Sequence, residues 1–295
     1  MLPVTNGAAL LVERFRESLL ARSAGEGTIR AHVEGVTLFY RRFPGLVSEW
    51  NKHHVRTFLA NRKWKTNTRR IRWKALNTYA VFLVAEGIIP ESFMGDVPCP
   101  PAGPARRPPM LTDEDFALLL KCCPHWTWIG LRNQAILWTL WTTPFRKSEF
   151  AALEVRTVNF NESTIWTPKS KNGEPYGATL FPSTAAAIKD YLDKRPYKTE
   201  PALWVTDQGE PLTPAALTLT LQRIEKRAQE AGLEKHIYFH AFRHNFGMNT
   251  VRWGLSTVET ARSMGQKSEK AAAIYTQWVA AEEAQKKIRR VARLG

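Results

Sequence analysis

The chain has 295 residues, 44% of them hydrophobic and 23% charged, which is ample material for two folded domains and excludes a disordered or fibrous chain. Its 42 Lys+Arg against 27 Asp+Glu give a net charge of +15 and a pI near 9.9, the balance expected of a protein with a polyanionic partner. Three cysteines (Cys99, Cys122, Cys123) make neither a disulfide framework nor a Cys-x-x-Cys metal pair, and no signal-peptide pattern or bilayer-length apolar run is present; a reducing, cytoplasmic setting is expected.

In chain order, apolar spacing predicts four helices before residue 92, over 8–24, 27–43, 49–61 and 67–87. Between Asn51 and Ala75 lie nine basic residues and no acidic one: Lys52, Arg56, Arg62, Lys63, Lys65, Arg69, Arg70, Arg72 and Lys74, interleaved with His53, His54, Trp64 and Trp73. A solvated helix face normally mixes both signs, so the run favours phosphate contact. The residues expected to bind nucleic acid are Arg56, Arg62, Lys63, Lys65, Arg69, Arg70, Arg72 and Lys74. Six prolines then fall between Met94 and Met110, together with Arg106-Arg107. Such a segment continues neither helix nor sheet, and a stiff, extended linker is predicted over 93–110.

After the linker, Leu111-Thr112-Asp113-Glu114-Asp115 reads as a capped helix start with acids in its first turn. The apolar stretch 135–145 is too short to cross a bilayer and reads as a buried helix. Thr143-Pro144 fits an N-cap followed by proline at the first helical position, which would set Arg146 in a first turn with Glu149 one turn on. A short sheet is expected over 155–181. Within it, Asn172-Gly173 marks a hairpin, because both residues tolerate positive φ. The stretches 239–251 and 270–278 read as helices, and a basic helical tail is expected from about 281 to 295, with Ile288, Val291 and Leu294 at i, i+3 and i+6. The predicted fold is mainly α with a small antiparallel β-sheet: a helical domain over 8–92, the linker, and a mixed α/β domain over 111–280.

Four pieces in the second half carry chemistry. They are Thr143-Pro144-Phe145-Arg146-Lys147-Ser148-Glu149; the hairpin residues Lys171-Asn172-Gly173; His240-Ala241-Phe242-Arg243-His244; and Met264-Gly265-Gln266, followed nine residues later by Tyr275. In this order and spacing they resemble the tyrosine recombinase (phage integrase) family, over roughly residues 8–280. The layout is similar to a short, Xer-like or simple phage or plasmid integrase. The resemblance implies a helical core-binding domain and a catalytic domain clamped around duplex DNA, a homotetramer on paired recombination sites, and no cofactor or metal; accessory DNA-bending proteins can join such assemblies. It also implies that Tyr275 attacks a scissile phosphate to give a 3′-phosphotyrosyl link. The activity would be site-specific recombination by integration, excision or resolution, without a membrane and in association with DNA.

The residue types suit that chemistry. Negative charge spreads over the non-bridging oxygens as the phosphate is attacked, and guanidiniums grip it bidentately without losing their protons, the role assigned to Arg146 and Arg243. A phenol of pKa ~10 is almost wholly protonated at neutral pH and needs a proton acceptor, for which His240 is the candidate. In the family a hairpin lysine serves as general acid, and Lys171, with Lys169 as its competitor, is expected to protonate the leaving oxygen. Gln266 replaces the usual histidine or tryptophan; its amide can still donate to a phosphate oxygen but carries no charge. Glu149 matches an acidic residue that supports the arginines. Pro144 stands where glycine is usual, and Phe242 and Met264 replace leucines.

Three other readings are open on the sequence. His236, His240 and His244 repeat at i, i+4 and i+8 and could present three imidazoles on one helix. A relative without catalysis could bind DNA alone, with Gln266 as a sign of decay. A topoisomerase-like enzyme could relax DNA with the same residues. The tail is read either as an element docked on a neighbouring protomer or as a DNA-facing basic terminus.

Overall fold

A computed structural model of the chain describes residues 6–103, 110–168, 176–266 and 268–292. It divides into two compact units, Met1–Arg106 and Arg107–Gly295.

The first unit is built from α1 (Asn6–Ala21), α2 (Glu26–Arg42), α3 (Lys52–Leu59) and α4 (Thr66–Ala85), close to the spans the periodicity predicts. Asn51 starts α3 by accepting from the His53 and His54 N–H groups, while the His54 ring accepts from the Asn51 N–H, so the orphan donors of the first turn are satisfied locally. α2 and α4 cross closely at Gly35, where a Cβ would lie 2.7 Å from that of Ala75. Phe15, Val36, Phe39, Leu76, Tyr79 and Leu83 fill the core, and the buried Tyr40 and Tyr79 hydroxyls satisfy each other at 2.7 Å. Phe93, Met94 and Val97 are buried in this core, and the chain beyond them is tied to α4. Trp73 donates to the Val97 carbonyl, Arg70 to the Pro100 carbonyl, and the Gly103 N–H to Asn67. The stretch from 93 to 103, expected as linker, is therefore held against the first unit rather than free of it.

The second unit contains α5 (Asp113–Lys121), α6 (Trp128–Thr142), the short α7 (Lys147–Ala151), and a sheet of β1 (Val158–Asn159), β2 (Thr164–Trp166) and β3 (Gly177–Thr179). These are followed by α8 (Pro182–Lys194), α9 (Pro214–Glu230), α10 (Phe239–Arg252), α11 (Thr257–Ser263) and α12 (Glu269–Ala292). The strands are antiparallel in the order β1-β2-β3, with Ile165 opposite Val158 and Ala178. Thr112 and Asp115 form the capping box expected at the start of α5. One core gathers Leu119, Ile136, Phe150, Tyr191, Trp204 and Phe242. A second, smaller one gathers Phe246, Met248, Met264, Ala272, Tyr275 and Val279 and joins α10 to α11 and α12. Among the described residues no helix is long and apolar enough to cross a membrane.

One expectation is overturned. Thr143 closes α6 instead of opening a new helix: its backbone is extended, and its hydroxyl donates back to the Thr139 carbonyl at 2.6 Å. Residues 143–146 form an extended bridge, and α7 starts only after Arg146, which occupies its N-cap position. Pro144 thus lies outside any helix, and its free carbonyl becomes an acceptor in the site below.

Candidate active site

Arg146 sits at the turn into α7, where Glu149 folds back on it. The Arg146 N–H donates to Glu149 Oε2 at 2.7 Å and its Nη1 to Oε1 at 2.9 Å. Arg243 rises from the first turns of α10 and is buried beside Pro144, Tyr176 and the turn after α11. Its Nη1 donates to the Pro144 carbonyl and its Nη2 to the Met264 carbonyl at 2.8 Å. Arg146 Nη2 approaches the neighbouring Gly265 carbonyl at 3.4 Å. Both guanidiniums are therefore hung from the Met264-Gly265 turn, Arg146 from 119 residues away and Arg243 from 21. Gly265 makes that turn with φ +60°, a conformation that favours glycine.

Glu149 is 2% exposed in its side chain. Burial alone would raise its pKa, but the Arg146 N–H, the Arg146 guanidinium and the Tyr176 hydroxyl outweigh that and hold it below the usual range, so it is a carboxylate at neutral pH. Its Oε2 accepts from the Tyr176 hydroxyl at 2.8 Å, and the same hydroxyl lies 3.5 Å from Arg243 Nη1. Burial, and then the Glu149 charge, push the Tyr176 phenol up, against the opposing pull of Arg243.

Tyr275 projects from α12 into the smaller core and is 3% exposed. Its hydroxyl lies 3.1 Å from Nδ1 of His244, and its ring packs edge-on to Trp278. α12 comes this close to α10 because position 247 is glycine: a Cβ there would stand 2.8 Å from the Tyr275 ring. The sequence points to His240 as the tyrosine's proton acceptor, whereas the imidazole that touches the hydroxyl is His244, one helical turn further along α10. Burial, His240 and Arg243 lower the His244 pKa to about 4, so the ring is neutral. Nδ1 then accepts the phenolic proton when Nε2 carries the ring hydrogen. Burial also raises the Tyr275 pKa, partly offset by Arg243. His240 lies toward the arginines: partial burial, then Arg243, Arg146 and Lys147, lower its pKa.

Gln266 follows the turn, with its Oε1 buried and without a hydrogen-bond partner among the described residues. Lys171 and Lys169 lie outside the described residues, as does the Asn172-Gly173 turn; the strands on either side of it pair as expected. His236 does not share a helix with the other two histidines. It precedes α10, and its Nδ1 lies 2.5 Å from Glu225. No cluster of three metal-ligating side chains occurs among the described residues.

In the first unit the basic run is less free than its sequence suggests. Arg72 pairs with Glu34 at 2.6 Å, Arg56 and Lys52 with Asp96 at 3.0 and 3.4 Å, and Arg69 donates to the Asn61 carbonyl. The acids missing from 51–75 are supplied by distant segments. Arg62, Lys63, Lys65 and Lys74 are exposed.

Sequence reading missed two members of this constellation. His244 was discernible from its position one turn after His240. Tyr176 has no local signal, because its partners lie 27 and 67 residues away.

The family model described as "Phage integrase family" matches residues 109–282. The chain is 24% identical over 180 residues to the tyrosine recombinase XerC of Alcanivorax borkumensis, covering 60% of this chain and 57% of that one. It is 25% identical over 281 residues to the XerC of Bacillus pumilus, covering 90% and 91%. Among solved structures, a lambda integrase tetramer bound to a Holliday junction superposes with a TM-score of 0.68 at 15% identity, covering 90% of this chain and 76% of that one.

Proposed function

Given that the chain belongs to the phage integrase family, the tyrosine recombinases, we propose that it is a site-specific DNA recombinase that cuts and rejoins duplex DNA through Tyr275. The observation that carries this reading is the convergence of Arg146, Arg243 and Tyr275 on one short stretch. The two guanidiniums donate to the carbonyls of Met264 and Gly265, and the Tyr275 ring packs beside Met264 and Gly247.

In the proposed reaction the Tyr275 oxygen attacks the scissile phosphorus. An O–P bond to tyrosine forms, the P–O5′ bond breaks, and a 3′-phosphotyrosyl link and a free 5′-hydroxyl result. Arg146 and Arg243 neutralise the oxygens on which charge accumulates, with Gln266 adding an uncharged donor. The phenolic proton leaves to imidazole: His244 is in contact with the hydroxyl, and His240, nearer the cations, is the base assigned once phosphate is bound. Lys171 is the proposed acid for the departing 5′ oxygen. Glu149 holds Arg146. Attack by the 5′-hydroxyl of a partner duplex reverses the step, so bond energy is conserved in the phosphotyrosine and neither nucleotide nor metal enters the balance.

Duplex DNA carrying paired sites is the proposed substrate, bound by a homotetramer with Lys63, Lys65, Arg62 and Lys74 of the first unit against phosphates. α12 continues the chain to Ala292 with Ile288 and Val291 66% and 70% exposed, an apolar pair suited to a neighbouring protomer.

The test uses duplex fragments of the source replicon bearing a nick or a 5′-bridging phosphorothiolate, incubated with wild type and Tyr275→Phe and run on a denaturing gel. A covalent adduct that forms without metal or ATP and vanishes in the variant is expected. Tight binding to cognate DNA with no adduct, unrescued by Gln266→His, would turn the reading to a DNA-binding regulator. Relaxation of any supercoiled circle without a paired site would turn it to a topoisomerase.

A further inference from the structure

We infer that Tyr176 is a positioning residue for the two active-site arginines, an inference that rests on the recombinase reading for its catalytic consequence but not for its geometry. The hydroxyl has one proton and two lone pairs, and the site uses both properties. The proton goes to Glu149 Oε2 at 2.8 Å, and a lone pair faces Arg243 Nη1 at 3.5 Å. Glu149 in turn holds Arg146 through two donors. One phenol therefore bridges the carboxylate that orients Arg146 and the guanidinium of Arg243. Only a side chain that both donates and accepts at one atom can do this.

The ring is fixed as firmly as the hydroxyl. The Tyr176 N–H donates to Thr167 Oγ1 at 3.2 Å, and the Tyr176 carbonyl accepts from the Thr167 N–H at 3.0 Å, which continues the β2–β3 pairing. Phe145 meets the ring edge-on at 5.6 Å, one residue from Arg146 and one from Pro144. On its other flank the Met264-Gly265-Gln266 turn lies so close that a Cβ at 265 would stand 2.6 Å from the ring. That turn supplies the carbonyls that hold Arg146 Nη2 and Arg243 Nη2. Tyr176 thus touches three elements around the guanidiniums through Glu149, Arg243 and Gly265, and the 143–146 bridge through Phe145.

The consequence is specific. Without the hydroxyl the arginines keep their charge and their position in sequence but lose a shared tether, so phosphate neutralisation weakens while DNA binding does not. Direct loss of a transition-state donor costs about 10²–10³ in rate, and loss of a group that acts through the donors is expected to cost less, about ten- to hundredfold.

The experiment compares wild type with Tyr176→Phe, which keeps the ring in its slot between Phe145 and Gly265. Arginine Nε–H NMR signals of the free protein are assigned by Arg146→Lys and Arg243→Lys. Faster solvent exchange at both arginines in Tyr176→Phe, with melting unchanged within a few degrees, is expected; unchanged exchange at both overturns the inference. Single-turnover cleavage is then measured on the phosphorothiolate duplex and on one with a neutral methylphosphonate at the cut site. The variant should be slowed about ten- to hundredfold on the charged substrate and nearly equal to wild type on the neutral one, with Kd for the duplex unchanged. An equal defect on both substrates, or none on either, rejects the positioning role. Failure of wild type to cleave at all sinks the recombinase reading and leaves the exchange measurement to judge the geometry alone.

Discussion

His244 Nδ1 stands 3.1 Å from the hydroxyl of Tyr275, and Arg243, whose charge lowers the pKa of both groups, occupies the preceding position of the same helix. To accept the phenolic proton the imidazole must be neutral, because a protonated ring has no lone pair to offer.

A pH dependence follows from that requirement. The folded His244 pKa is about 4, depressed by burial, by His240 and by Arg243, against an ordinary value of 6.5. Between these values the unfolded chain binds the proton and the folded chain does not, so stability is lost as pH falls from 6.5 towards 4. His240 and His32, also lowered, act in the same direction. His244→Gln keeps an acceptor for the phenol and removes the titration. Urea midpoints measured at pH 7, 6, 5 and 4 should fall less steeply for this variant than for wild type; parallel curves would refute the assignment.

Gly247→Ala tests the approach of α12. The new methyl would lie 2.8 Å from the Tyr275 ring and 3.0 Å from Met264 Sδ, and a ring in a packed core gives way less easily than a side-chain tip. Overpacking of this kind costs about 1–3 kcal/mol, more than the gain of at most about 1 kcal/mol from replacing a mid-helix glycine. Thermal melting should drop by several degrees, and adduct formation should fall with it because Tyr275, the proposed nucleophile, is displaced.

Glu149→Gln retains an acceptor oxygen but removes the charge opposite Arg146. A stability loss of about 1–3 kcal/mol is expected, the range for weakening a buried charge-assisted hydrogen bond. Cleavage should fall with Kd for DNA unchanged. The wild-type carboxylate, whose pKa is lowered on folding, contributes stability above the ordinary carboxylate range that is lost on acidification through its folded pKa. The variant should show a shallower loss of stability below pH 4.5, read from denaturant midpoints.

The basic run of the first unit separates into two classes. Lys63→Ala and Lys65→Ala remove exposed charges and should each reduce the slope of log K against log salt by about 0.9, uniformly across sequences, with no change in melting. Arg72 is different. Its side chain is 12% exposed, it pairs with Glu34, and its guanidinium lies 6.0 Å from the centre of the Trp64 ring. Arg72→Ala should lower stability as well as affinity, and a salt titration alongside a melt distinguishes the two classes.

Local chemistry was legible from the chain. The Thr112–Asp115 capping box, the four amphipathic helices of the first unit and the two strands flanking Asn172-Gly173 all arise from side chains acting on backbone within a few residues. The sharing of one helix face by His240 and Arg243 was legible as well, because a spacing of three brings two residues to the same side of a helix.

Pairings over long distances in the chain were not. Thr143-Pro144 reads locally as a helix start, yet it becomes an extended bridge whose proline carbonyl accepts from Arg243, 99 residues away. The choice of His244 over His240 against Tyr275 depends on where α12 crosses α10, which a missing side chain at Gly247 permits. The acids that meet Arg56 and Arg72 come from Asp96 and Glu34, outside the run whose composition looks unpaired. By itself the sequence determined most of the elements and the family the chain resembles, since propensity, capping and motif spacing act through bonded neighbours. Only the tertiary structure decided which donor meets which acceptor, because a buried polar group must be satisfied by whatever packing brings within about 3 Å, and packing is set by the whole core at once.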